Sequence, residues 1–294
     1  MLANLVLGLL LATLPTTTRA AVPVAVAGFM AYVDSIAAAR HGARGDLVRD
    51  RYRDSIATIY PGSVADQDLE ALLFATITAA GLANDRDIAR DARAVFDEIE
   101  SRSLPAQRYR ADMQWLYLTL RDFDAARAFH ARYRDDDALG PIPEISPAPG
   151  FDAAKRTILA VDGTGGLQRR NFVPGHADFV LVVASPLCHF SRDAMTAIRA
   201  DPALHAYFAE HSHWLAPNSL RLDPALLATW DTMFPEYPLM LVDDIGTWPE
   251  IDYWSTPTFY IFVQGRIVRT IRGWPAGGRA AELKRALGIR QTGR

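Results

Sequence analysis

Cys188 is the only cysteine in the 294 residues, and it stands in Leu187-Cys188-His189-Phe190-Ser191, just behind the apolar run Phe179–Ala184. A lone cysteine excludes an intramolecular disulfide, a Cys-pair zinc site and a self-contained dithiol couple. A single nucleophilic thiolate remains open to it. The run 179–184 has the length and continuous apolarity of a buried strand. Ser185-Pro186 turns the chain, and a helical stretch then runs to Ala200. Sulfur at the start of such a helix meets unpaired N–H groups and the positive end of the macrodipole, both of which stabilise thiolate. Ser191, one turn on, can offer that thiolate a hydrogen bond, and His189 is a polar neighbour able to tune it. The competing reading is a small core cysteine, buried and inert.

Farther along, Ser255-Thr256-Pro257-Thr258 precedes a second apolar run, Phe259–Val263, then Gln264-Gly265, Arg266–Ile271 and Gly273. Strand, Cys-x-x-Ser, helix, then Thr-Pro-Thr, strand, strand and glycine resembles the thioredoxin superfamily over residues 155–290. Cys188-His189-Phe190-Ser191 stands where that family carries Cys-x-x-Cys, and Thr256-Pro257 where it carries a cis-proline beside the active-site sulfur. The resemblance implies a thioredoxin-like C-terminal fold, with Cys188 as nucleophile, Ser191 and His189 as its modulators, and Thr256 and Pro257 as contacts to a substrate backbone. Serine in place of the second cysteine departs from the family. Cys188 can attack a disulfide, but an external thiol must release the mixed disulfide that results.

Two functions therefore stand side by side. One is monothiol thiol–disulfide exchange, a form of cell redox homeostasis, with protein thiols or disulfides or a small-molecule thiol as partners. The other is a non-catalytic periplasmic assembly module that uses the fold to dock other proteins. Neither calls for a cofactor or a metal. His205, His211 and His213 are close in sequence, but no two share the i,i+4 spacing of a helical ligand pair. Asp243-Asp244 reads as a capping turn. Gly163–Gly166 reads as a turn between strands, with no helix behind it to cradle phosphate. Trp248, Tyr253 and Trp254 either line a groove beside Cys188 or fill the core.

The elements that must hold these residues divide into two halves. From residue 21 to 135 the pattern is all helical. Phe29, Tyr32, Val33 and Ile36 recur at helical spacing, as do Leu47, Tyr52, Ile56 and Ile59. Pro61-Gly62-Ser63 ends that pair, and Asp66 or Asp68 is the expected cap of a helix over Leu69–Leu82. Helices over Asp85–Glu100, Tyr109–Leu120 and Asp122–Tyr133 follow. An offset of 34 residues aligns Ala92 with Ala126 and Leu82 with Leu116, which resembles the tetratricopeptide helix pair; an irregular bundle fits as well. Residues 136–150, with four prolines and two glycines in DDALGPIPEISPAPG, read as a linker.

Residues 151–294 change period. Strands are expected over Arg156–Val161, Leu167–Val173, Phe179–Ala184 and Leu239–Val242, with a hairpin over 258–271. Helices are expected to start at Asp201-Pro202 and Asp223-Pro224, and a last one spans Gly278–Leu287. The fold class is thus an all-α N-terminal domain followed by an α/β domain.

Composition sets the outer limits. Half the residues are hydrophobic and 22% are charged, so a disordered chain is excluded. The 31 Lys and Arg against 34 Asp and Glu leave a net charge of −3, without the basic stripe of a nucleic-acid binder. The apolar run Leu2–Leu14 followed by Thr18-Arg19-Ala20 reads as a signal peptide over residues 1–20, cleaved after Ala20. The mature chain is then expected in the periplasm, with no membrane span.

Overall fold

The structure, a computed structural model, describes residues 21–36, 41–162, 166–220 and 222–289. The expected signal peptide, and all but the last residue of the Gly163–Gly166 turn, lie outside them. The N-terminal half contains α1 (Ala21–Ser35), α2 (His41–Ser55), α3 (Asp66–Ala83), α4 (Arg86–Ser101), α5 (Arg110–Thr119) and α6 (Phe123–Arg132). No strand interrupts them among the described residues. Asp85 caps α4 by accepting from the N–H groups of Asp87 and Ile88, and Asp122 caps α6 by accepting from Ala125. The cap expected of α3 is corrected: Ala65 holds that position, and Asp66 and Asp68 lie in the first turn, where carboxylates favour the dipole. In α2, Leu47 faces outward and Val48 is buried in its place.

The offset of 34 falls on two consecutive helix hairpins, α3–α4 and α5–α6, with Ala92 and Ala126 both fully buried. Their lengths differ, 18 and 16 residues against 10 and 10.

The C-terminal half is built on one mixed sheet with helices. Its strands are β1 (Ile145–Pro147), β2 (Thr157–Val161), β3 (Leu167–Asn171), β4 (Phe179–Val183), β5 (Ser212–Ala216), β6 (Leu239–Val242), β7 (Thr258–Val263) and β8 (Arg266–Arg272). They lie in the order β1-β3-β2-β6-β5-β4-β7-β8. The helices are α7 (His189–Ala200), α8 (Pro202–His211), α9 (Pro224–Met233) and α10 (Ala280–Ala286). β4 runs parallel to β5 and β5 parallel to β6, while β7 and β8 return antiparallel.

The crossovers from β4 to β5 and from β5 to β6 step in one direction. Their helices therefore share one face of the sheet. Val180 and Val182 of β4 join Met195, Phe208 and Trp230 in a core cluster continuous with the helical half. Phe179, Leu181 and Val183 point the other way, into a cluster closed by Phe172, Trp248, Ile251 and Trp254. Period-2 alternation thus puts both sides of β4 in a core, which accounts for its unbroken apolar run.

Residues 136–150 are more than a connection. Ile145–Pro147 pairs in parallel with Leu167–Arg169 at the sheet edge. Leu139 and Asp136 are buried, Asp136 is paired with Arg110 at 3.0 Å, and the Gln114 side chain donates to Gly140 O at 2.6 Å. Proline stiffened the segment enough to read as a linker, yet an edge strand tolerates Pro147 because one side of its ladder is unpaired.

Candidate functional site around Cys188

β4 delivers the chain through Ala184 and the buried Pro186 to Cys188, which is the N-cap of α7 with extended backbone angles. The N–H groups of Ser191 and Arg192 turn back to Cys188 O at 3.0 and 3.3 Å, closing the first helical turn. No acidic residue lies in that turn, so nothing there opposes a thiolate at the positive end of α7.

The Thr256–Pro257 bond is cis. It brings Thr256 O to 3.4 Å from the Cys188 Sγ, and the thiol donates to it. Gly273 sits behind this turn with φ +72, and its N–H donates to Pro257 O at 2.7 Å. That backbone conformation suits glycine. Partial burial alone would push the Cys188 thiol up. The Thr256 side chain, the Ser191 N–H and hydroxyl, and the Phe190 N–H together outweigh it, so the thiol lies below its ordinary value.

Cys188, Ser191, Thr256 and Pro257 are thus brought together. His189 is not: it is exposed, with its ring against Phe190 at 3.8 Å between centroids. Ser191 is fully buried and has a second task, since its Oγ accepts the Ser185 N–H at 3.3 Å. Ser185 is the site residue missed in the sequence. Its carbonyl accepts from Cys188 N and its hydroxyl from Leu187 N, shaping the turn that presents the sulfur. A serine-proline pair directly after a buried strand was the available signal.

The remaining candidates have structural roles. Trp248 and Trp254 are buried in the core, and Tyr253 lies under the Arg272 guanidinium, 4.4 Å from its ring. Asp244 caps the short turn Ile245–Thr247 through Gly246 N, whereas Asp243 forms an ion pair with Arg169 at 2.7 Å. His205 Nδ1 meets Tyr237 Oη at 2.7 Å, His211 packs on His176, and His213 lies edge-on to Phe172 and Phe179. Among the described residues no group of three His, Cys, Asp or Glu is placed to hold a metal ion, and no helix is long and apolar enough to cross a membrane.

No family model matches the chain, and neither does any curated protein. Among solved structures, a thioredoxin-like protein from Bacteroides caccae ATCC 43185 is similar at 10% identity and a TM-score of 0.30, covering 84% of each chain. At that identity and overlap the likeness says nothing of chemistry.

Proposed function

We propose that this chain is an exported, periplasmic protein with a thioredoxin-like C-terminal domain, acting in monothiol thiol–disulfide exchange through Cys188. One observation carries the reading: a partly accessible thiol at a helix N-terminus, held 3.4 Å from the Thr256 carbonyl, its pKa lowered by hydrogen bonds from the Thr256 and Ser191 side chains and the Ser191 and Phe190 N–H groups. The Cys188 thiolate attacks one sulfur of a substrate disulfide. That S–S bond breaks, a new Cys188–substrate disulfide forms, and the displaced sulfur leaves as thiolate and takes a proton from water. A low-molecular-weight or protein thiol then attacks the mixed disulfide as its thiolate and frees Cys188. Ser191 supplies hydrogen bonds but no second sulfur, so the mixed disulfide persists until that thiol arrives. Leu187 and Phe190, exposed beside the sulfur, give an apolar rim for a protein substrate.

The test is the pH dependence of Cys188 alkylation by iodoacetamide in the native protein, beside capture of a mixed disulfide with oxidised glutathione. A midpoint below that of free cysteine, with capture reversed by added thiol and absent in Cys188→Ser, is the expected result. A thiol silent until denaturation would overturn exchange chemistry and favour the docking module.

A further inference from the structure

Half of the residues of α3 are buried by its neighbours, and one stripe among the rest is left open. Ala71, Phe74, Thr78 and Gly81, at steps of three and four, lie along a single line of the helix, and Phe74 is 61% exposed. Met30 and Val33 of α1 wall this line on one side, and Trp115 and Thr119 of α5 on the other. The result is an open groove of about 900 Å³ with mostly apolar walls. At Gly81 a Cβ would meet nothing within 4 Å, so space continues to that end.

Two features select an occupant. From Gln67 to Gly81 the floor runs about 20 Å, the rise of about four helical turns, which suits a helix laid along α3 better than a compact small molecule. Asp34, Glu70 and Asp112 line the groove against one guanidinium, Arg44. Arg108 already pairs with Glu70 at 2.7 Å, whereas Asp34 and Asp112 have no ion pair among the described residues. Partial desolvation pushes the Asp112 carboxyl up, and both it and Asp34 are exposed to a cation delivered along the groove.

We infer that this groove receives a basic amphipathic helix of another protein, its apolar face on Phe74 and Trp115 and its cations toward Asp34 and Asp112. The site lies on the helical half and is independent of the exchange chemistry assigned to Cys188.

The full chain, titrated with a fluorescein-labelled 14-residue Leu/Lys amphipathic peptide and followed by anisotropy, tests it beside a Leu/Glu peptide of the same pattern. Saturable binding of the Leu/Lys peptide is expected, with the Leu/Glu peptide weaker by about tenfold or more. Gly81→Leu, which fills the groove without straining the helix, should weaken binding by about tenfold, as should Phe74→Ala. Asp34→Asn with Asp112→Asn should weaken it several-fold and flatten its salt dependence. Absent binding, equal binding of the two peptides, or indifference to both Gly81→Leu and Phe74→Ala would overturn the proposal. So would self-association abolished by Gly81→Leu, which would make the occupant a second copy. Tighter binding of a peptide spanning residues 1–20 would assign the groove to the chain's own N-terminus.

Discussion

Ser191 ties the thiol to its own loop, because one hydroxyl serves both the Cys188 sulfur and the Ser185 N–H. Ser191→Ala is expected to move the alkylation midpoint of Cys188 upward and to cost about 1 kcal/mol, the loss of a hydrogen bond to the part-buried Ser185 N–H. Rate against pH, together with urea unfolding, reads both. His213 makes a different pH prediction. Burial, and then the neighbouring His176, hold its imidazole below the ordinary histidine value. The unfolded chain therefore binds the proton more readily. Stability contributed by neutral His213 should be complete above about pH 6.5 and fall as pH drops toward the lowered folded value. Urea midpoints at pH 7.5 and 5 should show this fall, and His213→Phe should reduce it. Cys188, Ser191, Thr256 and Pro257 could be found by type and order along the chain. The partners of Ser185 could not, because hydrogen bonds within a turn leave no periodic trace.

Two helices show how local signals act. Asp201 and Asp223 each precede proline and each accepts two N–H groups of the helix it starts. Asp201 also pairs with Lys284 of α10, docking the last helix on α8. Asp223→Ala should cost about 1 kcal/mol, the usual loss of a cap. Asp201→Ala should cost more, and the excess should vanish when Lys284 is already alanine, as a double-mutant cycle of urea midpoints would show. Both caps were legible because aspartate-proline is a local device. β5 was not legible. Ser212 follows the last helical residue, His211, with no turn between them, and Ser-His-Trp-Leu-Ala shows no clean alternation. β1 hid behind its prolines. The groove over α3 was equally invisible, since a helix apolar on nearly every side does not announce which line its neighbours leave bare.

The two halves meet through Arg121, whose buried guanidinium reaches Val242 O of β6 at 2.8 Å and Leu118 O at 2.7 Å. Burial lowers its pKa to about 10, against the opposing pull of Asp243, so it stays charged at neutral pH. Arg121→Ala should cost about 2–3 kcal/mol by orphaning the carbonyl. Fluorescence and circular dichroism should still unfold together, because one core cluster spans both halves. Limited proteolysis should likewise spare residues 136–147, which a flexible linker would have exposed. Contacts of this kind join residues 121 positions apart, and no sequence window holds both ends.

The strand Ile145–Pro147 has a mechanical consequence. The peptide that joins the helices to the sheet is itself laced to β3 over Leu167–Arg169, so a load drawing the halves apart does not first take up slack. It must shear that ladder, and the hinge gains length only once the rungs have parted. A force-extension trace with handles on the two halves should therefore show a rupture before any free extension of this segment.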